Sequence, residues 1–221
     1  MYRAPKSNDE LIDIVERRRN YLGIPRFDPL VIEVMRKLDR AEFAPRGAKN
    51  VYEDEPLVIG WNQTCSQPSM VAAMATLLEL KPGLKVLEIG AGSGYSAAVT
   101  AALIAPDGEL ISIEYIPELS GFAGKNLEKF SRRSKITLIT GDGSTGKPDL
   151  APFDRIYLTA GVGRKFKPDN LIAQLADGGR LLYPEAFGSL FLYEKTTGEP
   201  KKREFSGVGF VYLQGADSGF D

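Results

Sequence analysis

The sequence predicts an α/β protein with a doubly wound, mostly parallel sheet, and three observations support this fold class. From Lys81 onward, strand-like and helix-like segments alternate, which is typical of parallel strands joined by right-handed crossovers. Clusters of glycine directly follow three of the strand-like runs, where ligands bind in open parallel sheets. The length of 221 residues fits one large domain. We expect a single domain, 1–221, with an N-terminal helical segment (1–80), an α/β core (81–185) and a C-terminal antiparallel hairpin (186–221).

The N-terminal segment is predicted to contain three helices. A capping box, Ser7-x-x-Glu10, precedes a first amphipathic helix whose apolar face would include Leu11, Ile14, Val15 and Leu22. The pair Asp28-Pro29 is a good N-cap and first-turn pair for a second helix, and a third helix follows Pro68. Residues 41–68 are dense in turn-forming residues and are expected to be irregular.

The α/β core is predicted as an alternation of strands and helices. The strands cover 85–89, 109–114, 136–140, 155–159 and 180–184, and the helices cover 95–105, 117–130 and 170–176. Beyond the core, strand-like segments at 189–195 and 204–214 flank the turn-rich segment 196–203. This pattern predicts an antiparallel hairpin that closes the edge of the sheet.

The composition excludes several classes of protein and site. Histidine is absent and Cys65 is the one cysteine, which excludes Ser-His-Asp and Cys-His catalysis, histidine-ligated metal sites and an internal disulfide framework. The net charge of −1 argues against general nucleic-acid binding, and no apolar run is long enough to cross a bilayer. The basic runs at 17–19, 132–133 and 201–203 are interpreted as solvated surfaces. We therefore expect no metal site, no nucleic-acid partner and no membrane contact.

The sharpest local signal is the segment VLEIGAGSGY at 86–95, in which a strand leads through a glycine turn into a helix. Such a turn presents backbone N–H groups to a ligand at a helix N-terminus. The spacing G-x-G-x-G differs from the dinucleotide fingerprint, because Tyr95 stands where the third glycine belongs, and this weakens the case for NAD or FAD. Glu114 ends the next strand, where a carboxylate can accept both hydroxyls of a ribose. A purely structural strand-to-helix turn is the alternative.

These features resemble motif I and its acidic partner in class I S-adenosylmethionine-dependent methyltransferases, which have a Rossmann-like fold. The resemblance implies that the glycine turn contacts the methionine end of the cofactor, that Glu114 holds its ribose, and that the turn after the third strand lies beside its adenine. Glu88 would orient the cofactor and the active-site loops. The cofactor-binding residues implied in this way are Gly90, Ala91, Gly92, Gly94, Glu114, Gly141, Asp142 and Gly143.

A narrower resemblance lies in the segments PLVIGWNQTCSQPSMVAAM (56–74), GDGSTG (141–146), APFDRIYLTA (151–160) and QLADGGRLLYPE (174–185). From about Ala41 to the C-terminus, the sequence resembles the protein-L-isoaspartate O-methyltransferase family. The resemblance implies S-adenosylmethionine-dependent methyl transfer to the free carboxylate of L-isoaspartyl residues, with D-aspartyl residues as a second acceptor, in the repair of damaged proteins. It further implies a cytoplasmic enzyme whose partners are isoaspartyl-containing proteins and peptides.

The Gly-x-x-Gln-Thr-x-Ser-Gln-Pro motif carries most of the substrate-side residues that the resemblance implies. The hydroxyls of Thr64 and Ser66 would hold the acceptor carboxylate, and with Glu88 they form the implied catalytic set. Side chains alternate in an extended segment, so Cys65 is expected to be a buried apolar residue. By propensity alone Ser66 would be the N-cap of the helix after Pro68, and both roles could coexist. The implied substrate-binding residues are Gln63, Trp61, Thr159 and Ala160.

Three departures from the family pattern leave alternatives open. Cys65 stands where isoleucine is general, Trp61 replaces a residue that is often histidine, and the segment 158–171 lacks the usual alanine run and isoleucine-proline step. Trp61 and Tyr95 are interpreted either as packing residues or as walls around substrate and cofactor. The alternatives are a related methyltransferase acting on RNA or a small molecule, and a non-catalytic member that binds S-adenosylmethionine or a partner protein. The charge balance and the lack of an Asn/Asp-Pro-Pro-aromatic motif argue against RNA.

Overall fold

Three helices and a short hairpin form the N-terminal part of the structure, a computed structural model that describes residues 4–129 and 134–220. The elements are α1 (Asn8–Arg17), α2 (Pro29–Lys37), the hairpin strands β1 (Leu57–Gly60) and β2 (Gln63–Cys65), and α3 (Pro68–Leu78). Ser7 caps α1 and Asp28 caps α2, because each side chain accepts a hydrogen bond from a backbone N–H of the first turn. These caps fix where both helices begin, and they confirm both predicted helix starts.

A seven-stranded sheet forms the core of the described residues. Its strands are β3 (Lys85–Ile89), β4 (Glu109–Glu114), β5 (Lys135–Thr140), β6 (Phe153–Leu158), β7 (Leu175–Pro184), β8 (Phe187–Glu194) and β9 (Lys201–Gly209), and the helices between them are α4 (Tyr95–Ile104), α5 (Pro117–Leu127) and α6 (Asp169–Ala173). The spatial order is β5-β4-β3-β6-β7-β8-β9. The strands from β3 to β7 are parallel, whereas β8 and β9 pair antiparallel, which confirms the predicted fold class.

The strand order reverses between β3 and β6. The chain runs from β3 to β4 and β5 on one side, then returns and places β6 on the other side of β3. Such a reversal separates the loops that follow the two strands and opens a crevice at their carboxyl ends. The N–H of Thr159, just after β6, donates to the carbonyl of Ile89 at the end of β3 (3.0 Å), so both strands end at the same level.

Helices cover both faces of the sheet, but unequally. The helices α1 to α5 pack on the face that carries Val86 and Leu110, both of which are fully buried. The opposite face carries Leu87 and Ile111 and packs against α6 through Leu171. Alternate residues of one strand therefore serve two separate cores, as expected for parallel strands buried on both faces.

Two predictions for the N-terminal segment are wrong in detail. Residues 41–68 are not irregular throughout, because β1 and β2 form an antiparallel hairpin there. Its turn places Trp61 (φ 50°) and Asn62 (φ 56°) in the left-handed region, where Asn-Gly is the usual sequence of a hairpin turn. Because Trp-Asn stands there instead, the sequence lacks the usual hairpin signal. Leu22 does not extend the apolar face of α1, because that helix ends at Arg17 and Leu22 itself adopts a left-handed conformation (φ 51°).

The end of α6 and the start of β7 also differ from the prediction. The helix stops at Ala173 instead of residue 176, because Leu175 already pairs with Phe153 and starts β7. The ladder is then interrupted before Arg180, and Gly178 takes up the irregularity with a φ of 73°. An early strand start of this kind depends on a partner strand and has no local signal.

The predicted C-terminal hairpin is confirmed as β8 and β9, but β9 ends earlier than expected. The strand spans Lys201–Gly209, whereas the prediction covered 204–214. After β9 the chain leaves the hairpin and crosses the carboxyl edge of the sheet, where Tyr212 bridges to Gly161. The last part of the chain therefore covers the crevice beside β6.

The helix predicted over 117–130 is observed as α5, which ends at Leu127. The last residue of that prediction, Phe130, and the basic run 132–133 lie outside the described residues. Within 4–129 and 134–220, none of the helices combines the length and the apolar composition that a membrane crossing requires.

Candidate functional site

A cleft opens at the carboxyl ends of β3, β4 and β6, and separate segments of the chain line it. The lining comes from β2 and the residue after it, the glycine turn after β3, the end of β4, the turn after β5, the residues after β6, and the C-terminal segment. It includes Gln63, Thr64, Cys65, Ser66, Gly90, Ala91, Gly92, Glu114, Gly141, Gly143, Thr159, Ala160 and Tyr212. Most of the sequence-predicted site residues therefore meet in one cleft.

The turn after β3 needs glycine at two positions. Gly90 has a φ of 102°, and a Cβ there would collide with Oγ1 of Thr159. Gly94 has a φ of 85°, is the N-cap of α4 and lies against Leu127, although it does not itself line the cleft. The N–H of Gly90 donates to the carbonyl of Ile113 (2.8 Å) and ties the turn to β4. Contacts with β4, β6 and α5 therefore hold the turn in one conformation.

The carboxylate of Glu114 supports the same turn from the end of β4. One oxygen accepts a hydrogen bond from the N–H of Gly92 (2.7 Å), and the other accepts one from the N–H of Ile116 (3.0 Å). The residue is 5% exposed and borders the cleft. Each carboxylate oxygen has a further lone-pair site, so Glu114 can still accept hydroxyl donors from a ligand.

Asp142 stands beside the cleft and holds the C-terminal segment. Its carboxylate accepts hydrogen bonds from the N–H of Ser144 (2.8 Å) and from the N–H of Ala216 (2.8 Å). Burial alone would raise the pKa of Asp142, but these hydrogen bonds outweigh it and hold the pKa below its usual value. Its neighbours Gly141 and Gly143 line the cleft, and Asp142 itself does not.

Thr64 and Ser66 bring two hydroxyl groups to the cleft from β2 and the residue that follows it. Both residues line it and are partly exposed, whereas Cys65 between them is only 5% exposed, as predicted for a buried apolar residue. In the part of the chain that the structure describes, neither hydroxyl has a hydrogen-bond partner. The two groups are therefore free to donate hydrogen bonds to a ligand in the cleft.

The interpretation of Ser66 as the N-cap of α3 is wrong. The N-cap position is Gln67, whose side chain forms no capping bond. The carboxylate of Asp54 supplies the cap from a distance, because it accepts hydrogen bonds from the N–H (2.8 Å) and Oγ (2.6 Å) of Ser69. Asp54 also pairs with Arg18 (2.8 Å), which ties the end of α1 to the start of α3.

Three of the four predicted substrate-binding residues lie in the cleft, and one lies outside it. Gln63, Thr159 and Ala160 line the cleft, but Trp61 does not; it stands at the tip of the β1–β2 hairpin and is 52% exposed. Oγ1 of Thr159 donates to the carbonyl of Ile89 (3.2 Å). Tyr95 is a packing residue, because it is 1% exposed and its ring contacts the ring of Phe43 edge-on (centroids 5.3 Å apart).

Arg40 is a buried cation that the sequence analysis did not single out. Its guanidinium donates to the carbonyls of Val51 (3.0 Å), Glu53 (2.8 Å), Glu55 (2.8 Å) and Ser66 (3.2 Å). The side chain is completely buried, and no carboxylate of the described residues lies within ion-pair distance of it. Among the described residues, the guanidinium therefore donates hydrogen bonds only to the dipoles of backbone carbonyls. These bonds fix the loop before β1 against the loop that carries Ser66.

Glu88 is buried in the sheet and does not line the cleft, but hydrogen bonds connect it to a residue that does. Its carboxyl group accepts hydrogen bonds from Oγ of Ser112 (2.5 Å) and from the hydroxyl of Tyr157 (2.8 Å). Oγ of Ser96, which borders the cleft, donates to the same Tyr157 hydroxyl (3.4 Å). Complete burial raises the pKa of Glu88 to about 7, although the hydrogen bonds from Ser112 and Tyr157 oppose the shift.

The donors and acceptors of the cleft suit an organic ligand with hydroxyl and carboxylate groups. The sheet offers the carboxylate of Glu114 and the backbone of the glycine turn, and the segment at β2 offers the hydroxyls of Thr64 and Ser66. Within the described ranges, no group of three or more Asp, Glu or Cys side chains is arranged to hold a metal ion.

Comparison with known families gives a match along nearly the whole chain. The family model described as protein-L-isoaspartate(D-aspartate) O-methyltransferase matches residues 6–218. The protein-L-isoaspartate O-methyltransferase of Methanopyrus kandleri is 45% identical over 209 residues, which cover 92% of this chain and 91% of that protein. Protein-L-isoaspartate O-methyltransferase 2 of Archaeoglobus fulgidus is 43% identical over 206 residues, with 91% of each chain covered.

Solved structures share the fold. A protein-L-isoaspartate O-methyltransferase superposes with a TM-score of 0.82 at 28% identity, covering 96% of this chain and 67% of that chain. A Plasmodium falciparum structure in complex with S-adenosyl-L-homocysteine gives a TM-score of 0.78 at 23% identity, covering 95% of this chain and 99% of that chain. At 23% identity, the similarity to the Plasmodium falciparum structure supports a shared fold only.

Replacing Arg40 by methionine is expected to lower the free energy of unfolding by about 3–5 kcal/mol, because buried carbonyls lose their donors. Arg36→Met is the matched control, since Arg36 lies on α2 and its ion pairs with Asp13 and Glu16 are at the surface. The control should cost less than about 1 kcal/mol. Chemical denaturation of both variants measures the difference, and equal stabilities would contradict the role of Arg40.

The raised pKa of Glu88 predicts how stability depends on pH. The folded protein keeps a proton on Glu88 that the unfolded chain releases at the ordinary glutamate pKa. The stabilisation is therefore complete below that ordinary value and is lost as the pH rises through about 7. Because Glu88→Gln does not titrate, its unfolding free energy relative to wild type should rise by about 3 kcal/mol between about pH 5 and 8.

Urea denaturation at several pH values measures this difference. Glu118→Gln is the control, because Glu118 is an exposed glutamate at the start of α5 and its replacement should give a curve parallel to wild type. If Glu88→Gln also ran parallel to wild type, Glu88 would be ionised in the folded protein across this range.

Proposed function

The chain belongs to the protein-L-isoaspartate(D-aspartate) O-methyltransferase family, and we propose that its cleft transfers a methyl group from S-adenosylmethionine to the free carboxylate of L-isoaspartyl residues in damaged proteins. The observation that carries the proposal is the cleft itself, in which the unpartnered hydroxyls of Thr64 and Ser66 share one space with the glycine turn and Glu114. Methylation begins the repair of the damaged residue.

S-adenosylmethionine fits the half of the cleft that the sheet builds. Glu114 retains acceptor sites for the ribose hydroxyls, and the glycine turn with Ala91 and Gly92 leaves the floor free of bulky side chains for the methionine end. Gly141 and Gly143 leave a similarly open surface for the adenine. When bound, the cofactor supplies a methyl group activated by a sulfonium, which needs no acid to leave.

The acceptor half of the cleft has to hold a carboxylate and does not have to deprotonate it. A carboxyl group with a pKa of about 4 is already ionised at neutral pH, so no general base is required. Thr64 and Ser66 would donate hydrogen bonds to it, while Gln63, Thr159 and Ala160 border the rest of the substrate. Holding two reactants in line can lower a barrier by about 7–11 kcal/mol. Positioning is therefore the main task of this site.

The proposal assigns a task to each part of the chain. Residues 1–80 supply the substrate-side loop, 81–185 form the cofactor-binding core, and 186–221 close the edge of the sheet. Trp61, outside the cleft, would contact parts of the substrate distant from the reacting carboxylate. D-aspartyl residues as a second acceptor, a cytoplasmic place of action and the absence of a nucleic-acid partner stay predictions.

Mass spectrometry of an isoaspartyl peptide tests the function. With enzyme and S-adenosylmethionine, the peptide should gain one methyl group and then lose methanol, because the methyl ester cyclises to a succinimide that water opens partly to normal aspartate. An unmethylated peptide in the presence of bound cofactor would favour a non-catalytic member. Methylation of RNA or of a small molecule in place of the peptide would favour the other alternative.

Replacing Glu114 by alanine is expected to weaken S-adenosylmethionine binding by about 1.5–3 kcal/mol, the scale for losing charge-assisted hydrogen bonds. Part of this loss would come through the turn, because Gly92 and Ile116 also lose their acceptor. Isothermal titration calorimetry measures the affinity. The exposed control Glu118→Ala should bind as wild type does, and an unchanged affinity of Glu114→Ala would remove Glu114 from the cofactor site.

Ser66→Ala is expected to lower the single-turnover rate of methyl transfer by about ten- to a thousandfold, because a donor to the acceptor carboxylate is lost. Its stability should change by less than about 0.5 kcal/mol, since this hydroxyl neither caps α3 nor has an internal partner. Rapid-quench kinetics measures the rate.

The neighbouring variant Cys65→Ala is the matched control, since it removes one side-chain atom from a residue that borders the cleft but is only 5% exposed. It should keep most of the activity. Near-normal turnover in Ser66→Ala, together with loss of activity in Cys65→Ala, would move the chemistry to the thiol and overturn the assignment.

A further inference from the structure

Thr64 and Ser66 of the functional cleft also line a neighbouring groove, which we call the acceptor groove. A second cleft lies beside the acceptor groove, and a ridge of aromatic residues separates the two. The acceptor groove, of about 760 Å³, contains Thr64 and Ser66; the second cleft, of about 720 Å³, contains Arg164 and Lys165. Phe187 and Tyr212 border both spaces. The two clefts are therefore neighbours on one continuous surface.

The ridge is unusually apolar for an exposed surface. Phe187 is 76% exposed and Tyr212 is 56% exposed. Their rings meet edge-on with centroids 5.9 Å apart, and Tyr212 meets Phe220 in the same way at 4.8 Å. Exposed aromatic residues next to an active cleft are typical of surfaces that contact a ligand.

Backbone hydrogen bonds hold the cationic side of the second cleft in place. The N–H of Lys165 donates to the carbonyl of Gly219 (3.2 Å), and the N–H of Gly163 donates to that of Ser218 (2.8 Å). A Cβ on Gly163 would collide with the backbone of Gly219, so the two segments approach each other closely. The loop that carries Arg164 and Lys165 is therefore positioned before any ligand arrives.

The two cations have no internal partner. Both are exposed, and among the residues described no carboxylate lies within ion-pair distance of either. Glu185 also lines the second cleft, so the charges there are two cations and one anion. Both cations lie in the segment 158–171, where the sequence departs from the family pattern.

We infer that the second cleft binds the flank of the polypeptide substrate and selects an acidic side chain there. This inference rests on the proposed function, because the isoaspartyl residue has to occupy the acceptor groove. From Ser66 the peptide would pass over Phe187 and Tyr212, and an aspartate or glutamate on that flank would pair with Arg164 and Lys165. The occupant is the same substrate chain and no separate partner is needed.

Steady-state kinetics with matched peptides tests this inference. Each peptide carries one isoaspartyl residue and either Glu, Lys or a neutral residue at one flanking position, and the position is moved along both sides. For wild type at low salt, one of these flanking positions should give a KM about five- to tenfold lower with Glu than with Lys, at similar kcat. The double variant R164E/K165E should reverse that preference.

The variant R46E/K49E is the matched control, because it reverses one exposed arginine and one exposed lysine that line none of these clefts. It should keep the wild-type preference. If no flanking position shows a charge preference that R164E/K165E reverses, the inference is overturned.

Methylation of the neutral peptide separates this inference from the proposed function. If wild type methylates the neutral peptide but shows no selectivity for the flanking charge, only this inference is contradicted. If wild type does not methylate the neutral peptide, the proposed function is contradicted as well.

Discussion

The proposed acceptor side of the cleft depends on the buried guanidinium of Arg40. Taking a charged group out of water costs several kcal/mol unless its donors find acceptors. Here backbone carbonyls accept from both terminal nitrogens of the guanidinium, and the buried Nε alone has no partner among the described residues. The carbonyls of Val51, Glu53 and Glu55 come from one loop, and that of Ser66 comes from the segment with the free hydroxyls. These two segments contain little regular structure, and the hydrogen bonds to Arg40 thereby hold them in a fixed geometry.

The proposed cofactor side has a different origin, because regular sheet geometry builds it. The strand order reverses beside β3, and Gly90 and Glu114 then lie at the carboxyl ends of adjacent strands. Methyl transfer requires the acceptor oxygen, the methyl carbon and the sulfur to be in line, so small displacements of either side are costly. In the proposed mechanism one side of the site is held by the sheet and the other by a buried cation. Neither side has to exchange a proton, so the mechanism requires no histidine.

Local patterns were sufficient to predict the order and type of most elements, and contacts between distant residues account for what was missed. Periodicity and the glycine turn indicated the sheet, but the turn at Trp61 lacks the usual hairpin residues. Ser66 follows the N-cap rule by sequence, yet Asp54 provides the cap from another loop. Arg40 has no sequence signal, since a fully buried arginine is an exception to composition rules. The predicted catalytic and substrate roles of the cleft residues stay predictions.

The cleft is proposed to position the free carboxylate of an isoaspartyl residue for methyl transfer. In the normal aspartyl isomer, the backbone runs through the other carboxyl group, so the free carboxylate is displaced by about one methylene. A misplacement of about 1 Å can lower the rate of such a reaction about a hundredfold. The most direct measurement is the ratio of kcat/KM for an isoaspartyl peptide and its aspartyl twin, assayed with the same enzyme and cofactor. We expect a preference of about a hundredfold for the isoaspartyl peptide. Equal values for the two peptides would contradict it.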